Sequence, residues 1–180
     1  MTAVRHGLTI VYTGTGKGKT TAAVGLAVRA AGNRMRVFFV QFVKGQWKSG
    51  ERSVLRSLPG VELAVTGRGF TIERLRDPRI PMAEHQDTAT AGWAFAQALV
   101  RGGEYDMVVL DEIFPAVTAG LVDAAELAAL VSAKPAALHL VLTGRAAPPE
   151  VIAMADLVSE VVPIKHPFQQ GIKAQRGIEF

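Results

Sequence analysis

Cysteine is absent from all 180 residues. That excludes a disulfide framework, a thiolate-bound zinc or iron–sulfur centre and a thiol nucleophile, and it suits a reducing cytosol. Charge of one sign is also scarce: 20 Lys+Arg face 16 Asp+Glu, a formal net charge of +4. This mild excess suits a polyphosphate as well as it suits nucleic acid. No run of five or more basic residues occurs, and no basic strand is interleaved with base-stacking aromatics, so nucleic acid is not an expected partner. No apolar run approaches the length of a membrane span. Residues 1–7 lack the apolar core of a secretory leader, and a cytoplasmic protein is expected. No His and carboxylate cluster has the spacing of a catalytic zinc site.

What is present is a chain of 49% hydrophobic and 20% charged residues, the composition of a globular domain rather than a disordered or fibrous one. A chain of this length forms one domain and buries about 70% of its unfolded surface, with no need of a metal or disulfide staple. Short Val/Leu/Ile runs alternate with Ala-rich stretches of helical period. Strands are expected at 8–12, 36–42, 61–65, 107–110, 138–142 and 157–162. Helices are expected at 19–31, 84–101, 123–132 and 150–155. In the first helix Ala22, Ala23, Leu26, Ala27 and Ala30 share a face; in the second, Ala89, Trp93, Ala96 and Val100 do. Residues 66–82, rich in Gly, Arg and Pro, read as a long loop. Residues 163–180 form a polar, basic tail, either an ordered lid or a loose end. Repeated strand–helix units imply a single α/β domain over 1–180, with a mostly parallel sheet and helices on both faces.

Thr13-Gly14-Thr15-Gly16-Lys17-Gly18-Lys19-Thr20-Thr21 lies between an expected strand and an expected helix, which is the setting of a phosphate-binding loop. Glycines let backbone N–H groups approach an anion, and the helix N-terminus adds donors and a positive dipole end. Lys19 reaches terminal phosphate oxygens, and the Thr20 hydroxyl is placed for Mg²⁺. One departure from the usual spacing is Thr13, which stands at the first glycine position. The motif places the domain in the P-loop NTPase-like (RecA-like) class. Asp111-Glu112 follows an apolar strand, where ligands sit in such sheets, and a carboxylate there is the expected Mg²⁺ partner. Together these features imply a nucleoside triphosphate with Mg²⁺. Lys19, Thr20 and Glu112 are the expected catalytic residues, and Thr20, Asp111 and Glu112 the expected metal ligands.

Gln41 and Arg145 also stand at strand carboxyl ends. Gln41 is a candidate for the site. Arg145 reads equally as a contact to phosphate or ribose and as an ion pair within the domain. Lys44, Lys48, Arg52 and Arg56 surround Trp47 and read either as contacts to substrate or as a solvated loop and helix face. Trp93 is expected in the core or in a dimer contact, and His139 as a satisfied core histidine. Glu112 beside Asp111 also keeps open a second activity, an ATPase or kinase that cleaves the β–γ bond, since a carboxylate there could polarise water.

The ordered set of motifs resembles the ATP:corrinoid adenosyltransferases of the cob(I)yrinic acid a,c-diamide type, over nearly the whole chain. The likeness rests on the phosphate loop from Thr13 to Ala23, Val40-Gln41-Phe42-Val43-Lys44-Gly45, and Gly67-Arg68-Gly69-Phe70. It continues through Val109-Leu110-Asp111-Glu112, Leu142-Thr143-Gly144-Arg145, Lys165-His166-Pro167-Phe168 and Gly171-Ile172-Lys173-Ala174-Gln175. The resemblance implies that Co(I) of a corrinoid attacks the 5′ carbon of ATP and that the whole triphosphate leaves. The nucleophile then belongs to the substrate, and the protein supplies alignment and charge stabilisation. The resemblance further implies a nucleotide site containing Gly14, Thr15, Gly16, Lys17, Gly18, Lys19, Thr20 and Thr21, with Phe70 near the corrin; it favours His166 near the site, and a structural role for His166 stays equally open. It also implies a homodimer, a flavin-type reductase as electron donor, and either cobalamin or cobyrinic acid a,c-diamide as corrinoid. Ile72 stands where some relatives carry Trp, a departure that bears on corrinoid contact and not on the nucleotide.

Overall fold

The computed structural model describes residues 6–42, 49–66 and 82–179. Within these residues six strands form one sheet: β1 (Thr9–Thr13), β2 (Val37–Gln41), β3 (Val61–Val65), β4 (Met107–Asp111), β5 (His139–Thr143) and β6 (Leu157–Glu160). Their order is β3-β2-β4-β5-β1-β6, and every pairing is parallel. Among the described residues six α-helices connect or follow them: α1 (Lys19–Gly32), α2 (Gly50–Ser57), α3 (Met82–Gly102), α4 (Ile113–Thr118), α5 (Ala124–Ser132) and α6 (Pro149–Met154).

The central strands are apolar at nearly every position because both faces are covered. In β4 successive side chains divide between two cores. Met107 and Val109 pack with Ala23, Ala27 and Ala30 of α1 and Leu55 of α2. Val108 and Leu110 pack with Trp93, Ala96 and Val100 of α3 and with Leu127 of α5. The expected stripe of α3 is therefore the buried one. In α1 the buried alanines are three of the five expected; Ala22 and Leu26 are half-buried. Trp93 is a core residue whose indole N–H donates to Glu126 Oε2 at 2.7 Å. The Nδ1 atom of His139 accepts from the Leu8 N–H at 3.1 Å, the satisfied role expected of it.

Most of the expected elements are present within one or two residues of their expected ends. Two helices go beyond the expectation. α4 begins immediately after Glu112 and carries Pro115 in its first turn, where a missing N–H costs nothing. α2 is eight residues long with Leu55 as its one buried residue, too short to show a period. β6 ends at Glu160 rather than 162. It is an edge strand with all four residues exposed, which suits its mixed composition. The long loop expected over 66–82 falls, apart from its ends, outside the described residues.

The topology brings the carboxyl ends of β1, β5 and β4 side by side. β1 leads into the phosphate loop and β4 ends at Asp111, with β5 between them. The loop is pinned from the far side by Val161, just after β6. Gly14 has φ +97°, and a Cβ there would lie 2.5 Å from the Val161 carbonyl oxygen.

Glycine replacement therefore has opposite effects at two positions. Gly14→Ala should lower the unfolding free energy in urea by about 1–3 kcal/mol through overpacking and a left-handed alanine. Gly25→Ala, in the middle of α1 with open space around it, should raise it by roughly 0.5–1 kcal/mol.

Candidate functional site

The loop between β1 and α1 is an arch closed by its own lysine. Lys19, at the first position of α1, is 6% exposed. Its ammonium donates to the carbonyls of Gly14 at 2.8 Å and Gly16 at 2.7 Å, which leaves a third donor for a ligand oxygen. Burial lowers its pKa below the ordinary 10.5; Glu112 opposes that shift, Arg145 adds to it and Asp111 opposes it. Gly18 turns into the helix with φ +126° and offers no side-chain cap to the first amides of α1. The glycines also serve packing: the Gly16 N–H donates to the Val161 carbonyl at 2.7 Å. Thr13, the departure from the usual spacing, accepts through its hydroxyl from the Ala147 N–H at 3.3 Å. It thereby ties the base of the arch to the segment after β5.

Asp111, at the end of β4, is fully buried. Its Oδ1 accepts from the Thr20 hydroxyl at 2.9 Å and the Thr143 hydroxyl at 2.7 Å. Its Oδ2 accepts from Gln41 Nε2 at 3.2 Å. Gln41 is equally buried, and its Oε1 accepts from Arg52 Nε at 2.7 Å. Gln41 therefore links Asp111 to α2 and does not line the cavity. Glu112 follows in a left-handed conformation, φ 59° and ψ 35°, unusual for a residue with a side chain. Its N–H donates to the Thr143 hydroxyl at 3.0 Å.

In front of these residues lies a cavity of about 810 Å³. Thr15, Gly16, Lys17, Gly18, Lys19, Thr20, Thr21, Glu112 and Arg145 line it, which brings most of the expected residues to one place. Gly14 and Asp111 stand behind that lining. Arg145 comes from the turn after β5. The opposite wall is the tail, through His166, Phe168, Ile172 and Ile178 among others. Across its described part the tail folds as turns and a short 3-10 segment (Pro167–Gln170) over the loop. Lys17 Nζ donates to the Ile178 carbonyl. Phe70, Lys44 and Lys48 lie outside the described residues. Arg56 is exposed on α2.

Thr143 was not among the expected site residues. Its signal was available in the Thr143-Gly144-Arg145 turn at a strand's carboxyl end, yet only the arginine had an evident ligand chemistry. As to a metal, no group of three or more His, Cys, Asp or Glu converges among the described residues. Mg²⁺ does not require one: it takes one or two protein oxygens and fills its shell with phosphates and water. The Thr20 hydroxyl and the Glu112 carboxylate are hard oxygens on the cavity wall, with Asp111 directly behind, and this set fits that ion.

Comparison with known proteins agrees with this chemistry. The family model for ATP:corrinoid adenosyltransferase BtuR/CobO/CobP matches residues 5–180. The chain is 40% identical over 177 residues to the corrinoid adenosyltransferase CobA of Salmonella typhimurium, covering 97% of this chain and 86% of that one. A corrinoid adenosyltransferase of Pseudomonas aeruginosa is 41% identical over 176 residues, 97% and 84% of the two chains. One from Sinorhizobium sp is 43% identical over 180 residues, 97% and 80%.

Two outcomes follow from the geometry. Deleting 164–180 removes a cavity wall and, among the described residues 164–179, no buried side chain, so stability in urea should fall by less than about 1 kcal/mol. The KM for nucleotide should rise about tenfold or more, the loss of one cavity wall outweighing the release of Lys17 from the Ile178 carbonyl. For Lys19, the unfolded chain keeps its proton up to 10.5 while the folded chain releases it earlier, so the unfolded state binds more protons in between. Wild-type stability should therefore rise with pH, relative to Lys19→Met, across the window ending at 10.5. Urea midpoints from pH 8 upward check the sign.

Proposed function

The chain belongs to the ATP:corrinoid adenosyltransferase family and transfers the adenosyl group of ATP to a corrinoid; we propose that the loop from Gly14 to Thr21 grips the triphosphate while the 5′ carbon faces the open side of the cavity. Convergence of Lys19, Thr20, Glu112 and Arg145 on one cavity carries this assignment. Cobalt(I) donates an electron pair to the 5′ carbon, a Co–C bond forms, and the C5′–O bond breaks with its pair leaving on the triphosphate. The nucleophile comes with the substrate, which is why a chain without cysteine can perform the transfer.

The protein's share is placement and charge. Lys19 spends two donors on its own loop and keeps one for a phosphate oxygen, so its ammonium is fixed before substrate arrives. Lys17, released from the Ile178 carbonyl, and Arg145 add positive charge to the departing triphosphate. Thr20 and Glu112 would hold Mg²⁺, with Asp111 orienting Thr20 from behind; the ion supplies further neutralisation of the leaving group. Phe70 is assigned to the corrin side. Since cobalt must arrive as Co(I), a low-potential donor of the flavin type belongs to the reaction. The resemblance to the family supports a homodimer. ATP is a cytosolic metabolite, and the reaction is assigned to the cytosol on that ground.

Product analysis tests the reading. With Mg²⁺-ATP and a chemically reduced corrinoid, the expected products are an adenosylated corrinoid and inorganic triphosphate in equal amounts, the latter read by phosphorus NMR. ADP and orthophosphate without a cobalt–carbon bond would put cleavage at the β–γ bond and overturn it.

A further inference from the structure

Thr143 is the fully buried last residue of β5, and one hydroxyl there serves both carboxylate residues of the site. A backbone N–H can only donate, so the hydroxyl accepts from Glu112 N at 3.0 Å and its single proton goes to Asp111 Oδ1 at 2.7 Å. The sheet register makes this possible: Leu110 pairs with Leu142 and Tyr12 with Thr143. The hydroxyl thus stands between the strand that feeds the phosphate loop and the strand that ends in the carboxylates. The next residue completes the device. Gly144 has φ +142°, and a Cβ there would lie 2.4 Å from Pro115 Cδ and 2.9 Å from Phe114 Cβ. The turn after β5 therefore presses directly on the first turn of α4, which begins where Glu112 leaves off. Glu112 occupies a left-handed conformation that costs about 1–3 kcal/mol and persists only when its surroundings hold it. The Thr143 hydroxyl on its N–H and the close approach of Gly144 to the helix that follows both contribute to that hold.

We propose that Thr143 is a positioning residue for the metal-bearing edge of the site, fixing the Glu112 backbone in its left-handed turn and the Asp111 carboxylate toward Thr20 with one hydroxyl. The inference rests on the assignment of Mg²⁺ to Thr20 and Glu112 above. Thr143 is fully buried and is not part of the cavity lining, so it acts through its two neighbours. Partners of this kind are typically worth about 10–100-fold in metal affinity or activity.

Calorimetry of ATP binding without corrinoid, in EDTA and over a Mg²⁺ series, separates this role from a general structural one. Thr143→Val keeps the shape and β-branching of the residue and removes only the hydroxyl. Its gain in ATP affinity on adding Mg²⁺ should fall at least about tenfold against wild type, while the affinity in EDTA moves less than about threefold. Thr143→Ser, which restores the hydroxyl, should recover the gain to within about threefold. If the valine variant does not fold, the Ser and Ala variants make the same comparison, since both lose the methyl group and only Ala loses the hydroxyl. A full Mg²⁺-dependent gain in the hydroxyl-free variant overturns the inference and leaves the proposed function standing. No such gain in the wild-type protein overturns the metal assignment, and the inference with it.

Discussion

The Asp111 carboxylate is shut off from solvent, and three side chains from three different elements satisfy it: Thr20 from α1, Thr143 from β5 and Gln41 from β2. Taking a carboxylate out of water is costly unless its lone pairs are met, so this junction exists only when sheet and helix are correctly assembled. Each hydrogen bond to such a group contributes about 1.5–3 kcal/mol. The junction also fixes where the chemistry happens. Thr20 is held at the start of α1, one residue after the lysine that closes the arch, and Glu112 is carried forward to the cavity wall. Fold and site depend on the same few atoms.

That dependence explains the division of labour around the cavity. Groups that face it, Lys19, Thr20, Glu112 and Arg145, carry charge or a hard oxygen. Groups behind it, Asp111, Gln41 and Thr143, are buried and fully engaged with one another. A reaction whose nucleophile is a reduced metal needs no activated side chain. What it needs is a triphosphate held still and a leaving group whose charge is met as it develops. The tail adds a wall on the opposite side, anchored through Lys17, a residue that the triphosphate itself would compete for.

The sheet was legible because it is covered on both faces: Val, Leu and Ile runs such as 107–110 declare a buried strand whatever their register. The phosphate loop was legible because its chemistry dictates residue type and spacing together. α3 showed itself through Trp93, Ala96 and Val100, a stripe long enough to fix a period. Shorter elements did not. α4 is six residues with a proline in its first turn, and its presence depends on Gly144 admitting it against β5, a long-range contact that no local pattern contains. Thr143 carries little local signal for a related reason. A threonine at the end of a strand is ordinary, and its value comes from standing between two strands that are far apart in sequence. Gln41 stands at a strand end, a position that points to the site, and the structure gives it a supporting place behind Asp111.

The most direct test is a crystal structure of the protein with Mg²⁺ and ATP. The account predicts the ion between Thr20, Glu112 and phosphate oxygens, Asp111 still accepting from Thr20 and Thr143, and the ribose 5′ carbon open to the unfilled part of the cavity. A nucleotide seated with that carbon enclosed against the protein and its terminal phosphate exposed would contradict it.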